Sequence, residues 1–200
     1  FPILAVPLFI LAGELMGGGG ISTRVLKVCN VLFGRFYGGL AICAVAFCMF
    51  FAAVSGSGPA TVAAVGALVV PTMLAEGYSK EFTLATIACA GGIGVIIPPS
   101  IPMVFYGTTT GTSIGSLFMA GMGPGILIGV SLIIFCNIYG RKKGWKTKTE
   151  KFSWKALGKA LWDGKFALLD PVIILGGIYS GIFTPTEAAA LGLGDAQTLK

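Results

Sequence analysis

The sequence contains no histidine and little charge of either sign. Its 200 residues include 14 lysines and arginines and 8 aspartates and glutamates, so 11% are charged and the formal net charge is +6. Ordinary soluble chains carry about 25% charged residues. The lack of histidine excludes histidine acid–base catalysis, histidine metal ligands and zinc-finger spacing. With 55% hydrophobic residues and a mean hydropathy of +0.89, the composition is typical of a membrane protein.

Paired cysteines are also absent, whereas glycine and proline are abundant. No two cysteines have CxxC spacing, and each stands in an apolar segment, so we expect small buried hydrophobic side chains rather than disulfides or metal ligands. They are Cys29, Cys43, Cys48, Cys89 and Cys136. The 31 glycines and 10 prolines predict helices that break inside the membrane, where protein or a water-filled cavity must satisfy the freed backbone groups.

The cations are concentrated in one stretch. Residues 141–165 hold nine lysines and arginines against two acidic residues, a local net charge of +7. Such a loop in a membrane protein is expected on the cytoplasmic side, and this explanation is preferred to a nucleic-acid-binding patch. Trp145, Trp154 and Trp162 fall in the same stretch and suit an interfacial amphipathic helix lying along the membrane surface.

Apolar runs and the charges between them divide the chain into segments. Cations lie on both sides of residues 36–76, so this segment is predicted to enter and leave on one face, as two short crossings or as a re-entrant hairpin. The chain begins inside an apolar run, from which we expect a fragment of a longer protein. The predicted segments are the end of a transmembrane helix (1–20), an amphipathic arm (21–35), a re-entrant helical hairpin (36–76), an interrupted transmembrane helix (77–116), a transmembrane helix (117–140), the basic cytoplasmic loop (141–165), a further transmembrane segment (166–190) and a polar, atypical tail (191–200).

The first predicted helix break is the sequence SGSGPAT at Ser55–Thr61. At the tip of a hairpin, one helix ends in unpaired carbonyls and the next begins with unpaired amides, with Pro59 suited to the first helical turn. Carbonyls and hydroxyls together can hold an alkali cation, and the amide end suits a carboxylate. The alternative is an ordinary turn outside the membrane with a serine cap.

The second predicted break is GGIGVIIPPSIP, residues 91–102. Three prolines in five residues cannot remain helical, yet uncharged apolar sequence continues on both sides. Interrupted helices of this kind build the binding sites of secondary transporters. Ser100 is expected to cap the second half-helix, with Tyr106 and Thr108–Thr110 along its continuation. A purely structural proline kink is the alternative.

A third break, residues 176–187, ends in Thr184-Pro185-Thr186-Glu187. This pattern is a capping box with proline at the first helical position, so a structural role for Glu187 is favoured over a ligand role. The two central breaks contain no ionisable residue, which favours Na⁺ over a proton as coupling ion. A channel is the alternative from pattern alone, and an intramembrane enzyme is disfavoured because no nucleophile–base set occurs at membrane depth.

Six motifs, in this order, resemble the large membrane subunit of TRAP (tripartite ATP-independent periplasmic) transporters of the dicarboxylate and sialic-acid type. The resemblance covers residues 1 to about 190, and the motifs read PLFILAGELM, FFAAVSGSGPATVAAVGALVVPTM, GYSKEF, GGIGVIIPPSIPMVFYG, SIGSLFMAGMGPGIL and PVIILGGIYSGIFTPTEAAA. The resemblance implies an all-α ion-transporter elevator fold, with the first inverted repeat and the start of the second. The rest of the second repeat is absent, and residues 191–200 turn polar where the family continues an apolar helix.

The resemblance also implies a function and partners. It implies sodium-coupled symport of small organic acids across the bacterial inner membrane, with no enzymatic activity and no cofactor beyond Na⁺ as coupling ion; a channel or a proton-coupled permease is the alternative. The implied partners are a small four-helix membrane subunit, a periplasmic substrate-binding protein and membrane lipid, with no nucleic acid. Carried over by motif, the sodium site comprises Ser55, Gly56, Ser57, Pro98, Pro99 and Ser100, and the substrate site comprises Gly58, Thr61, Ser100, Tyr106 and Thr108.

Overall fold

The computed structural model describes residues 2–18, 21–145, 158, 162 and 165–198, and these form helices without strands. The predicted all-α class is confirmed. Short 3-10 turns at Pro2–Leu4 and Ile93–Val95 accompany the α-helices. The helices are α1 (Ala5–Gly18), α2 (Ile21–Phe33), α3 (Gly39–Ser55), α4 (Gly58–Ala75), α5 (Lys80–Gly92), α6 (Ile101–Thr110), α7 (Ile114–Lys143), α8 (Lys165–Tyr179) and α9 (Pro185–Thr198).

Helix α3 forms the centre of the main core. It is apolar on every side, and a helix of that kind is stable only when it is surrounded. Helices α1, α2, α4, α5 and α7 pack around it. Val25, Val28 and Cys29 are buried on one face of α2, as an amphipathic helix requires. The Cys43 thiol donates to the carbonyl of Cys29 at 3.0 Å, which ties α3 to α2.

Both ends of the α3–α4 hairpin lie at the C-terminal end of α7. The amide of Gly38 donates to the carbonyl of Trp145 at 2.8 Å, and a Cβ added to Gly140 would lie 2.5 Å from the Gly38 nitrogen. At the other end of the hairpin, the ring of Tyr78 lies 4.6 Å from that of Trp145. The chain therefore enters and leaves the hairpin at one end of the molecule, which is the geometry that a re-entrant segment requires.

The interrupted part of the chain packs against the middle of α7. A Cβ on Gly121 would lie 2.7 Å from the Ile96 carbonyl oxygen, and one on Gly125 would lie 2.6 Å from the Ile97 side chain. Gly125 precedes Arg141, the first charge on α7, by about 24 Å of helix at 1.5 Å per residue. The break between α5 and α6 thus lies deep within the apolar length of α7.

A second core joins the two ends of the described chain. It brings α1 and α6 together with the start of α7 and with α8 and α9, and its buried members include Phe9, Val104, Phe118, Ile174 and Ala188. Helix α9 continues to Thr198. Residues 191–198 of the predicted atypical tail are therefore helical, and the buried Ala188 and Ala189 near the start of α9 anchor this helix.

Two described helices are long and apolar enough to cross a membrane, Gly58–Ala75 and Ile114–Lys143. The second extends beyond the predicted segment 117–140 at both ends, because Ser113 caps it and the three cations that end it remain helical. One side of α7 is exposed and apolar, with Met119, Leu127, Ile134, Phe135 and Ile138 among its side chains. Such a face suits lipid or another protein surface.

Other sequence predictions fall on the stretch after α7. Most of the predicted basic loop 141–165, including Trp154, lies outside the described residues. Trp145 is not on an interfacial helix; it follows the end of α7 and packs on Tyr78, Phe82 and Tyr139. Trp162 is exposed. Four of the cysteines are buried as expected, but Cys89 is exposed, in an open groove between α5 and α7.

Candidate functional site at the meeting of two helix breaks

The hairpin tip consists of Gly56 and Ser57. Gly56 ends α3 in the left-handed conformation, with φ +62°, which only glycine adopts without strain. Ser57 begins α4 as its N-cap, and its hydroxyl accepts from the Ala60 amide at 3.4 Å. Pro59 falls in the first turn, where a missing N–H costs nothing. The sequence SGSGP thus dictates both the end of one helix and the start of the next.

Two hydroxyl groups meet behind this tip. The Ser55 and Thr61 oxygens lie 3.1 Å apart, and the Thr61 hydroxyl lies 2.8 Å from the Ser57 carbonyl, to which it donates. Because that contact uses the one Thr61 proton, Ser55 is the donor when the two hydroxyls pair, and the Ser57 carbonyl at 3.4 Å is a second acceptor for the same proton. Ser55 is 1% exposed and Thr61 is fully buried. The cluster consists of neutral oxygens that retain free lone pairs.

The second break separates α5 and its 3-10 turn from α6. The Pro98–Pro99 peptide bond is cis, and Ser100 occupies the N-cap position of α6 with its side chain fully buried. The predicted side-chain cap is wrong, since the Ser100 hydroxyl donates instead to the Val95 carbonyl at 2.7 Å. That carbonyl belongs to the end of the preceding helical turn, so Ser100 holds the two sides of the break together.

The two breaks are in direct contact. The amide of Ile101, which begins α6, donates to the Gly56 carbonyl at 3.1 Å. A Cβ on Gly56 would lie 2.6 Å from the Pro99 carbonyl oxygen, so only glycine fits there. Ser55, Ser57, Pro98 and Ser100 belong to the two segments that meet at this point. Two helix C-termini and two helix N-termini therefore converge, which places partial negative and partial positive charge side by side.

Glycines outside the predicted sodium and substrate sites make this contact possible. A Cβ on Gly94 would lie 3.0 Å from the Thr61 hydroxyl and 3.2 Å from the Gly58 backbone, and one on Gly13 of α1 would lie 2.9 Å from the Ser55 side chain. Gly91 is also closed in, by Val62, whereas Gly92 has open space around it. The GGIG motif carried a signal for Gly91 and Gly94; nothing local pointed to Gly13, which is 42 residues away from Ser55.

Two predicted substrate residues lie apart from the others. Tyr106 is 57% exposed, and Thr108 donates to the Phe105 carbonyl within α6 at 2.9 Å. Tyr106 follows Ser100 by about 9 Å along the helix. Thr108 lines a different cavity, of about 490 Å³, together with Thr112 and Pro185. Gly58 and Thr61, in contrast, face Gly94 at the meeting of the breaks.

The third break is a structural helix start. The Glu187 carboxylate accepts from the Thr184 amide at 2.8 Å and from its hydroxyl at 2.9 Å, and the Thr184 hydroxyl accepts from the Glu187 amide at 3.4 Å. This reciprocal pair is the predicted capping box, which is confirmed. Glu187 is exposed, and its carboxylate is occupied by the start of α9.

The chemistry available where the breaks meet is that of neutral oxygen atoms and backbone dipoles. In the described part of the chain no group of three or more acidic, cysteine or histidine residues could hold a metal ion. Carbonyl and hydroxyl oxygens suit a hard cation, and free amides at helix starts suit a carboxylate. At this point the amides of Ala60, Thr61 and Ile101 already donate to Ser57 and Gly56, so a carboxylate would have to compete with those bonds. The described residues that meet here carry no group that titrates near neutral pH.

Comparison with known proteins identifies the family. Residues 1–198 match the model for "Tripartite ATP-independent periplasmic transporter, DctM component". The chain is 52% identical over 96% of its length to the isethionate TRAP transporter permease protein DctMQ of Oleidesulfovibrio alaskensis. It is 49% identical over 96% to the C4-dicarboxylate large permease protein DctM of Vibrio cholerae, and 48% identical over 94% to the ectoine large permease protein TeaC of Halomonas elongata.

The chain spans less than half of each of these curated relatives, covering 30%, 42% and 44% of them respectively. The match extends beyond residue 190, through the part of α9 whose sequence turns polar. With nearly every residue of the chain aligned to one family model, the chain belongs to the DctM component family of tripartite ATP-independent periplasmic transporters.

Proposed function

We propose that this chain supplies the inward half-site of a sodium-coupled symporter for small organic acids in the bacterial inner membrane. The observation that carries the proposal is the contact between the hairpin tip and the break before α6, where Ser55, Thr61 and Ser100 are buried beside backbone carbonyls. The relatives named above are permeases for isethionate, C4-dicarboxylates and ectoine. Two of those names denote organic anions, in keeping with an amide-lined site.

Sodium and substrate divide the site between them in this proposal. Na⁺ binds on the carbonyl side, at Ser55, Gly56, Ser57 and the Pro98–Ser100 segment, because oxygen dipoles replace its water shell. The substrate carboxylate approaches the amide side, at Gly58 and Thr61, where helix α4 begins. The Na⁺ site lies at the end of α3 and the carboxylate site at the start of α4, so the two ligands are close together. The charge of each bound ligand favours binding of the other, which couples them.

The hairpin and the broken helix form a natural moving unit. They are joined by the Ile101–Gly56 hydrogen bond and by the close approach of Gly94 to Gly58. In the proposed elevator mechanism this unit carries the site across the membrane as a body, and Tyr106 and Thr108, on the α6 part of the unit, are proposed as further substrate contacts. Movement of the unit as a rigid body keeps the ion-binding oxygens together, whereas opening of the hairpin alone would separate them.

Partners complete the proposed transporter. A small membrane subunit is expected to cover apolar surface, and the fused name DctMQ of one relative agrees with such an arrangement. A periplasmic binding protein is expected to deliver the acid. Proton coupling is the second candidate, and it is disfavoured because the described residues that meet at the two breaks include no acidic side chain.

Reconstitution of the full-length protein with its partner subunits and binding protein tests this function. Proteoliposomes should accumulate the binding protein's ligand when an inward sodium gradient is imposed. An imposed proton gradient without sodium should give no accumulation. Uptake driven equally by protons would support the proton-coupled alternative, and flux without accumulation or counterflow would support a channel.

A further inference from the structure

A second feature lies at the C-terminal end of α7, away from the helix breaks. A groove of about 360 Å³ opens between α2, the segment after it and the last three turns of α7. This volume is within the range of small-molecule sites. Its walls are apolar except at one end, where a guanidinium and an amide are present. The groove is lined by Phe33, Phe36, Ile134, Asn137, Ile138 and Arg141, among others.

The polar end of the groove is positively charged. The Arg141 guanidinium lies 5.7 Å from the centre of the Tyr37 ring, which holds it at the mouth. The Arg35 guanidinium lies 5.1 Å from the ring of Phe36, one of the walls. Lys142 and Lys143 follow in the last turn of α7. The described residues that line the groove include no acidic side chain beside Arg141.

Two of the last backbone carbonyls of α7 are already paired. The last carbonyls of a helix carry partial negative charge, but those of Gly140 and Arg141 accept hydrogen bonds from the amides of Trp145 and Gly144. The Asn137 side-chain amide lies beside the mouth, 3.5 Å from the Tyr37 carbonyl. The mouth therefore suits an anion, and the groove behind it suits a hydrocarbon chain.

We propose that this groove binds one anionic phospholipid of the cytoplasmic leaflet, with its phosphate at Arg141 and an acyl chain along Ile134 and Ile138. Arginine recognises phosphate through two parallel hydrogen bonds, and basic pockets between membrane helices at the cytoplasmic face bind anionic headgroups. The site also fits the depth of a headgroup, because it lies level with the aromatic cluster of Tyr139 and Trp145. The inference does not depend on which substrate is transported or on the coupling ion.

Native mass spectrometry of the full-length transporter, delipidated in detergent, measures this binding. Phosphatidylglycerol and phosphatidylcholine with the same acyl chains are titrated separately. The wild type should bind phosphatidylglycerol more tightly, and Arg141→Gln should weaken that binding about tenfold, the loss expected for one charge-assisted contact. Lys142→Gln is the matched control, since it removes the same charge one residue away from the lining, and it should leave the affinity unchanged.

Photolabelling of the wild type gives a second measurement that does not depend on variants. Phosphatidylglycerol with a diazirine on its acyl chain should label peptides that contain Phe33–Phe36 and Ile133–Ile138. Equal losses in Arg141→Gln and Lys142→Gln, or no preference for phosphatidylglycerol, would overturn the proposal. Unlabelled groove peptides would overturn it as well, because another part of the full-length protein or a second copy would then fill the groove.

Discussion

The carbonyl of Gly56 accepts the amide of Ile101 at 3.1 Å, so the tip of the hairpin is bonded to the first residue of the helix that follows the second break. A buried amide at a helix start normally needs a side-chain cap or water. Here the partner is backbone from a segment 45 residues earlier. The bond therefore makes the conformation of each break depend on that of the other. A substitution at one break should change the structure at both.

Gly94→Ala is predicted to impair transport far more than Gly92→Ala. A methyl group on Gly94 would lie 3.0 Å from the Thr61 hydroxyl and 3.2 Å from the Gly58 backbone, whereas Gly92 has open space around it. Both positions are close in sequence, and both variants add one methyl group. Initial uptake rates in proteoliposomes at equal protein content should fall at least tenfold for Gly94→Ala and less than twofold for Gly92→Ala, as a tenfold change corresponds to only about 1.4 kcal/mol.

Equal activity of the two glycine variants would show that Gly58 and Thr61 can move away from the broken helix without loss of function. The contact of the two breaks would then be a packing feature. Size-exclusion profiles of both variants separate this outcome from misfolding.

Gly140→Ala is predicted to destabilise the protein by about 2 kcal/mol, the usual cost of forced overpacking. Its methyl group would lie 2.5 Å from the Gly38 nitrogen, at the point where the base of the hairpin is bonded to Trp145. Gly123→Ala, on the same helix with open space around it, should be neutral or stabilising by up to about 1 kcal/mol because alanine is the better helix former. Chemical denaturation in detergent measures the free energy of unfolding of both variants. Destabilisation by both substitutions, or by neither, would contradict the close approach of Gly140 to Gly38.

Glu187→Ala is predicted to lower the melting temperature, and Glu187→Gln to lower it less. The Glu187 carboxylate caps the start of α9 through Thr184, and glutamine can replace glutamate in a capping box. The sodium concentration for half-maximal uptake should be unchanged in both variants. A shift of that concentration in Glu187→Gln, where the cap remains and the charge is lost, would assign Glu187 to ion binding instead.

A cysteine introduced at Thr147 is predicted to resist an impermeant maleimide added from the periplasmic side and to react after the membrane is permeabilised. Thr147 lies in the basic stretch, outside the described residues. The background should carry Cys89→Ser, because Cys89 is exposed while the remaining described cysteines are buried. Efficient labelling from the periplasm would reverse the orientation of α7 and of the hairpin.

The sequence predicted the elements of the site better than their contacts. Helix α3 ends and α4 begins within the predicted break at Ser55–Thr61, because Gly56, Ser57 and Pro59 act on the backbone locally. The Ser100 hydroxyl was assigned to the wrong partner, since the choice between the helix that it begins and the Val95 carbonyl depends on the fold of the break. Local signals of this kind determine where a helix ends, but not which acceptor a donor at the break pairs with.

Contacts between distant segments had no local signature. Gly13 approaches Ser55 only because α1 packs across α3. The sequence around a glycine in an apolar helix does not indicate which residue packs against it. The exposure of Cys89 likewise depends on which face of α5 the other helices cover. The roles of Tyr106 and Thr108 stay predictions, because Tyr106 is exposed and Thr108 lines a different cavity from the meeting point of the breaks.

The sodium dependence of uptake by Ser55→Ala tests the central claim most directly. Ser55 is buried and bonded to Thr61 where the two breaks meet, whereas Ser131, the control, is exposed on α7 and donates only within its own helix. In the full-length transporter, Ser55→Ala should raise the sodium concentration for half-maximal uptake by about tenfold, the effect of one lost oxygen contact, and Ser131→Ala should leave it unchanged. A Ser55→Ala variant that transports with the wild-type sodium dependence would contradict the assignment of this site to sodium.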